Sequence, residues 1–306
     1  MDKTEKIWFD GKLVDWNDAQ VHVLTHALNY GTGVFEGIRV YHTPKGVAVF
    51  RLKDHVNRLM GGCKIMGIDM VFGGKTYGFD DIMNAIKDVV RVNKETDYAK
   101  PCVFLSGEEV GLNPVGVPSS MAISCIHMGS YIKATDGAKL ITSSWQRPDN
   151  LCGPAGAKVN GSYVASCLAK REAVRQGANE AVMLNSVGHV AECTGENIFL
   201  YRQGKIYTPS TSESILEGIT RASIIQVARD MGYEVIESQI TRAQLYTADE
   251  VWMTGTAAEI VPVTSIDGKP VGNGKIGEVS SKIHARFSDI ASGKVPEYDA
   301  WLDYVN

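Results

Sequence analysis

The chain has 306 residues, of which 44% are hydrophobic and 22% charged, with a formal net charge of −4. That length suggests two domains or one large one, with enough apolar material for a packed core. The mild negative charge and dispersed basic residues argue against a nucleic-acid partner or an anionic membrane. The polar start MDKTEKIWFDGK has no signal-peptide core, and no apolar run approaches the roughly 18 residues of a membrane helix. The six cysteines contain no CxxC pair and read as reduced, mostly buried thiols of a cytoplasmic protein.

In chain order, KIWFDGKLV predicts a hairpin turning at Asp10-Gly11. NYGTGVFEGIR, residues 29–39, has three glycines and invites a dinucleotide reading. That fingerprint needs G-x-G-x-x-G opening a helix, with an acid about 20 residues on. Here the third glycine comes one place late, at Gly37, Glu36 stands in its place, and Arg51 occupies the acidic position. The following GIRVYHT looks extended, so the reading fails. GVAVFRL predicts a strand. Val56, Leu59, Cys63 and Met66 predict a helix over 53–66 that Gly67 can end. GGKT at 73–76 resembles a Walker ending, but Asp69 stands where that motif needs glycine, so a loop before a helix beginning near Asp80 is expected. Ile82, Ile86, Val89 and Val90 mark that helix, and KPCVFLS and SMAISCIHM predict strands.

The small, polar stretch 129–138 reads as a linker between a small N-terminal α+β domain (1–128) and a large C-terminal domain (139–306). Beyond it KLITSSW predicts a strand. Hairpins are expected to turn at 186–189 and at Gln203-Gly204, and helices to span 163–176 and 220–231, closed by Gly177 and Gly232. The sum is an α+β fold with antiparallel or mixed sheets. Regular βαβ alternation is missing, which counts against a doubly wound fold.

CGPAGAKVNGSY, 152–163, is the most suggestive stretch chemically. Small neighbours leave Lys158 open to an approaching carbonyl, as a Schiff-base lysine requires. Composition alone favours a plain solvated lysine. Tyr163 follows at a helix start. VAECTGENIF puts Glu192 and Glu196 among small residues, where a carboxylate could hold a pyridine nitrogen protonated. LEGITRAS places Gly218, Ile219 and Thr220 at a helix start, a natural phosphate site, although a simple Thr220 N-cap explains it too. His22 and His26 have zincin spacing, but Val23 stands where that motif needs Glu, so no metal site is expected.

Taken together, HALNYGTGVFEGIR, RLKDHVNRL, GLNP, AKVNGSY, AECTGENIF, LEGITR and MTGTAAEI resemble the branched-chain amino acid aminotransferases, fold-type IV pyridoxal 5'-phosphate enzymes, over almost the whole chain. The resemblance implies that Lys158 carries the cofactor and shuttles a proton. Glu192 would pair with the ring nitrogen and Tyr163 with the phenolic oxygen. Arg58, Gly218, Ile219, Thr220 and Thr256 would hold the phosphate end and Leu216 would also contact the cofactor, although Asp54 offers Arg58 a plainer surface pairing. Tyr30, Phe35, Gly37, Tyr98, Tyr131, Thr256 and Ala257 would surround the substrate, Tyr98 and the 255–258 backbone at its α-carboxylate. Lys100 and Arg39 would form the charged side of that pocket, Arg39 having a structural alternative.

Two positions depart from many relatives. Lys100 stands where arginine is common, losing a planar fork for a glutamate-type carboxylate. Met128 stands where some relatives carry a bulkier aromatic, and its flexibility admits larger substrates. Tyr30 and residues 111–113 are expected to reach a neighbouring subunit, so a homodimer is the minimum unit. The implied reaction moves the amino group of L-leucine, L-isoleucine or L-valine to 2-oxoglutarate. Alternatives of the same fold are a D-amino acid or (R)-amine aminotransferase and an aminodeoxychorismate lyase. A non-catalytic binding module of this fold is a further alternative.

Overall fold

The computed structural model describes residues 2–305. The chain divides into two compact units. The first comprises Met1–Gly129, Ala157–Gly161 and Ile290–Asn306, and the second Ser130–Gly156 and Ser162–Asp289. Lys158, which a linear division at residue 139 places in the C-terminal domain, packs with the first unit.

In the first unit an antiparallel sheet runs in the order Leu302–Tyr304, Gly46–Phe50, Ile38–Thr43, Tyr98–Leu105, Ser119–His127, Lys6–Phe9 and Lys12–Asp15. The last two strands form the expected hairpin. Asp10 and Gly11 have φ of 45° and 92°, the double positive φ that a two-residue turn demands. The helix Phe79–Val92 buries Ile82, Met83, Ile86, Val89 and Val90, one face at 3.6-residue spacing. The helix Leu52–Met66 contributes Leu52, Val56, Leu59 and Cys63 to the same core and ends at Gly67 in the left-handed conformation. GGKT forms a small hairpin instead of a loop. Val71–Phe72 pairs with Lys75–Thr76 across Gly73-Gly74.

The second unit is a mixed sheet in the order Val190–Cys193, Glu180–Leu184, Ala138–Thr142, Glu259–Ile266, Glu250–Gly255, Asn197–Arg202, Lys205–Pro209 and Val235–Ser238. Ala138–Thr142 runs parallel to both neighbours, and Val235–Ser238 runs parallel to Lys205–Pro209. The hairpins at 186–189 and Gln203-Gly204 form as expected. Helices span Tyr163–Arg175 and Ile219–Asp230. The second of these starts one residue before the predicted position, because extended Gly218 and not Thr220 is its N-cap.

The fold is therefore α+β with antiparallel and mixed sheets. All six cysteines are free. Cys63, Cys125 and Cys193 are buried and Cys102 half-buried, but Cys152 and Cys167 are exposed, so the thiols are less uniformly buried than composition suggests. Among the described residues no helix is long and apolar enough to cross a membrane.

Candidate functional site

In the first unit the glycine-rich stretch becomes a strand, Gly33–Phe35, that pairs with Tyr98–Leu105. On its other side it bridges Val159 through Val34, and the Phe35 N–H donates to the Lys158 carbonyl at 3.0 Å. The Gly161 N–H donates to the Gly31 carbonyl at 3.1 Å. Gly31, at φ 70°, approaches Gly161 too closely for a side chain to intervene. The segment carrying Lys158 is thus laced to the opening of the glycine stretch, and this is the work of its glycines. Lys158 Nζ lies 4.8 Å from the Phe35 ring centroid, and Lys100 Nζ lies 5.2 Å from the same ring.

Next to Phe35, the Glu36 side chain is fully buried. Arg58 donates to it through Nε at 2.6 Å and Nη2 at 2.7 Å, a two-pronged charge-assisted pairing. His55 Nδ1 stands 2.8 Å from the same carboxylate. Burial alone would raise the Glu36 carboxyl. The Arg58 charge and hydrogen bonds, with those of His55, overcome this and hold it at about 2. Burial lowers His55, as do the Arg58 and Lys158 cations, against the pull of Glu36. The ring is therefore neutral at pH 7 and donates Nδ1–H to Glu36. Asp54, the alternative partner for Arg58, pairs instead with Arg51 at 2.5 Å.

Gly37, Tyr98, Lys100, Tyr30, Arg39 and Met128, expected on the substrate side, also belong to this unit. A methyl group at Gly37 would overlap the buried Tyr98 hydroxyl, so Gly37 gives that ring its position. Lys100 is exposed. Tyr30 accepts the Gly111 N–H at 3.1 Å and packs on His26. Arg39 is buried, pairs with Asp97 at 3.3 Å and donates to the Gly129 carbonyl at 2.9 Å. Asp97 also accepts the Met128 N–H at 2.6 Å. Arg39 and Met128 are thus joined through Asp97, which gives Arg39 a structural task.

In the second unit Glu192 is buried and held from three directions. Arg147 Nε lies 2.8 Å from Oε1, while Asn197 Nδ2 and the Leu216 N–H each donate to Oε2 at 3.0 Å. Arg147 is itself buried and also reaches the Ser214 carbonyl at 3.3 Å. The helix Ile219–Asp230 opens at Gly218 with no side-chain cap, and a methyl group at Gly218 would overlap Asn197 Oδ1. Ile219 and Thr220 occupy its first turn. Tyr163 opens its own helix. Thr256 and Ala257 lie in the turn joining Glu250–Gly255 to Glu259–Ile266. Tyr131 is largely exposed.

Sequence reasoning missed Glu36, His55, Arg147 and Asn197. His55 and Arg58 do sit one helical turn apart, which places both on the face that meets Glu36. Nothing local marks Arg147.

Two outcomes follow. Stability contributed by Glu36 is complete above about pH 4.5 and is lost as pH falls toward about 2, since only the unfolded carboxyl takes up a proton in that window. Glu36→Gln should cost about 3–5 kcal/mol at pH 7 by removing the buried negative charge that Arg58 faces. Urea unfolding should show the gap to the parent narrowing at pH 3, and an equal gap at both pH values refutes the assignment. Gly37→Ala should cost about 1–3 kcal/mol by overpacking. Combined with Tyr98→Ala it should cost less than the sum of the two single changes, and strict additivity would show that the two residues do not collide.

The family model for Amino-transferase class IV matches residues 33–266. The branched-chain-amino-acid aminotransferase of Pseudomonas aeruginosa is 42% identical over 308 residues, covering 99% of this chain and 98% of that one. The crystal structure of a branched-chain amino acid aminotransferase from T.th. with pyridoxamine 5'-phosphate superposes with a TM-score of 0.95 at 44% identity and full coverage of both chains. The same enzyme complexed with N-(5'-phosphopyridoxyl)-L-glutamate gives 0.94 at 44% identity, again over both whole chains. With the matched model spanning most of its length and such relatives end to end, the chain belongs to the class IV aminotransferases.

Proposed function

We propose that this chain is a branched-chain amino acid aminotransferase, moving the amino group of L-leucine, L-isoleucine or L-valine to 2-oxoglutarate with pyridoxal 5'-phosphate in a ping-pong cycle. The observation that carries the reading is Glu192, a buried carboxylate fixed by Arg147, Asn197 and Leu216, in a chain matched end to end by enzymes of that name. The residues fit the cofactor. A fixed carboxylate suits a protonated ring nitrogen, and an uncapped helix N-terminus suits a phosphate. Bound pyridoxal phosphate supplies an aldehyde that exchanges amino groups and a ring that accepts electrons.

The protein's own residues do the rest. Lys158 would attach the cofactor and, once the substrate amine has displaced it, its free Nζ would take the proton from the substrate Cα. Glu192 would pair with the ring nitrogen, and Tyr163 would donate to the phenolic oxygen. Arg58, kept in place by Glu36, would serve the phosphate together with Gly218, Ile219, Thr220 and Thr256, and Leu216, whose N–H holds Glu192, would contact the cofactor beside it. Tyr98 and the 255–258 turn, including Ala257, receive the α-carboxylate. Phe35, Tyr30, Met128 and Tyr131 border the side chain, and Gly37 makes room for it. The work is cytoplasmic and requires at least a homodimer, in which Tyr30 and its neighbours meet a second copy. Exposed Leu28, Val110, Leu112 and Val115 support that apolar contact.

The purified holoenzyme should turn over L-leucine with 2-oxoglutarate and show a visible absorption band. Lys158→Ala should lose both the band and borohydride trapping. Turnover of D-alanine but not L-leucine would transfer the chain to another activity of this fold. Lys100→Arg should lower the KM for 2-oxoglutarate and leave that for leucine nearly unchanged, because a planar fork holds a second carboxylate better than a point charge. An unchanged KM for 2-oxoglutarate discards the role of Lys100.

A further inference from the structure

A second carboxylate pair lies in the second unit, outside the residues assigned so far. Glu180 and Glu196 are both buried, and Glu196 is only 3% exposed. Glu180 is fully partnered. It receives Lys170 Nζ at 2.6 Å, the Thr194 hydroxyl at 2.6 Å and the Ala181 N–H at 2.8 Å. The Glu196 carboxyl group has a single hydrogen bond among the described residues, from the Gly195 N–H at 3.2 Å. One lysine therefore serves two buried carboxyl groups, and it is committed to Glu180.

Glu196 also has a defined neighbour. Asn197 pairs with Thr254 across the sheet, so Glu196 lies beside Gly255 at the start of the 255–258 turn. A Cβ at Gly255 would stand 3.3 Å from Glu196 Cγ. The ionisable groups that interact with the pair are Lys170 on the helix Tyr163–Arg175, Glu192 and Cys193 on the strand Val190–Cys193, and Tyr131, which Cys167 and Tyr163 approach in turn. Of these only Lys170 is a cation.

We propose that Glu196 works as a neutral carboxylic acid, a positioning residue that lets the 255–258 turn accept the substrate carboxylate without a buried negative charge behind it. The proposal rests on the aminotransferase reading and adds a residue to it. Burial first, then the Glu180 charge, push the Glu196 carboxyl up to about 8, against the opposing pull of Lys170. Below that pH the turn faces a neutral group. Above it an anion develops beside the carboxylate site, and carboxylate affinity falls.

The test measures binding of 4-methylvalerate, which is leucine without its amino group, to the holoenzyme by calorimetry from pH 6.5 to 9.5. The parent should lose roughly fivefold or more in affinity between pH 7 and pH 9, with a midpoint near 8. Glu196→Gln keeps the shape without the titration, so it should match the parent at pH 7 and bind several-fold better at pH 9. Glu180→Gln removes the neighbouring negative charge and frees Lys170, so it should move the parent's midpoint downward. If Glu196→Gln does not fold, that shift decides the matter alone. Identical profiles for parent and Glu196→Gln, or an unmoved midpoint in Glu180→Gln, overturn the proposal. Turnover of L-leucine with 2-oxoglutarate is measured first. Its absence sinks both readings, whereas normal turnover with unchanged profiles sinks only this one.

Discussion

A carboxylate with no exposed surface must either find cations or keep its proton, and the first unit is organised around the former solution. Glu36 stays ionised because Arg58 grips it with two nitrogens and His55 adds a third donor. That requirement fixes the helix Leu52–Met66 against the Gly33–Phe35 strand, since both donors project from one helical face. The same strand, through Phe35 and Val34, holds the backbone of Lys158 and Val159. The position of the candidate reactive lysine and that of the candidate phosphate arginine therefore trace to one buried ion pair. The stretch from Gly33 to Gly37 works as a hub whose odd member is its only acid.

The second unit handles its carboxylates differently, and the contrast assigns their tasks. Glu192 is surrounded by donors that fix its direction, as would suit the ring nitrogen that it is proposed to meet. Glu180 takes the lysine. Glu196 is left with one backbone N–H and a raised affinity for its proton. Three acids, two on neighbouring strands and one in the bend that follows Val190–Cys193, thus differ in what they can do because their donors differ, although the residue type is the same.

The sequence made the local elements legible because their signals are local. Asp10-Gly11 and Gln203-Gly204 mark turns by the positive φ they must adopt, and Gly67 and Gly232 mark helix ends for the same reason. The apolar faces of the two long helices in the first unit were equally plain. What failed was non-local. Thr220 looked like a cap, but the Gly218 backbone turns into the helix first, and Thr220 is left free for another task. Lys158 looked like part of the C-terminal half, yet the Val34–Val159 bridge ties it to a strand far earlier in the chain. Glu36 read as a failed glycine, because nothing in its own neighbourhood announces the helix that will neutralise it. Arg147 is invisible for the same reason. A lone arginine becomes meaningful only when folding brings it to Glu192. The family resemblance supplied Glu192, Tyr163 and Arg58, whereas the residues that hold Glu192 and Arg58 in place emerge only from the folded chain.

The two lysines over Phe35 bear on how one pocket can take both an apolar side chain and a carboxylate. An aromatic face offers an apolar side chain contact area, and it also attracts ammonium groups through its quadrupole. Lys158 is drawn there by its backbone tether. Lys100 is exposed and has a flexible stem, so it can lie across the ring or leave it at small cost. In the proposed reaction, leucine would take the ring as its contact while the ammonium stays in water, and a dicarboxylate would bring its second carboxylate to the same ammonium. An arginine in that place would stack more firmly and recognise the carboxylate better, but would be slower to yield the ring to a purely apolar guest. Under the proposed function, lysine at position 100 would trade affinity for the acceptor against easy exchange between two chemically opposed substrates, as one pocket in a ping-pong cycle would require.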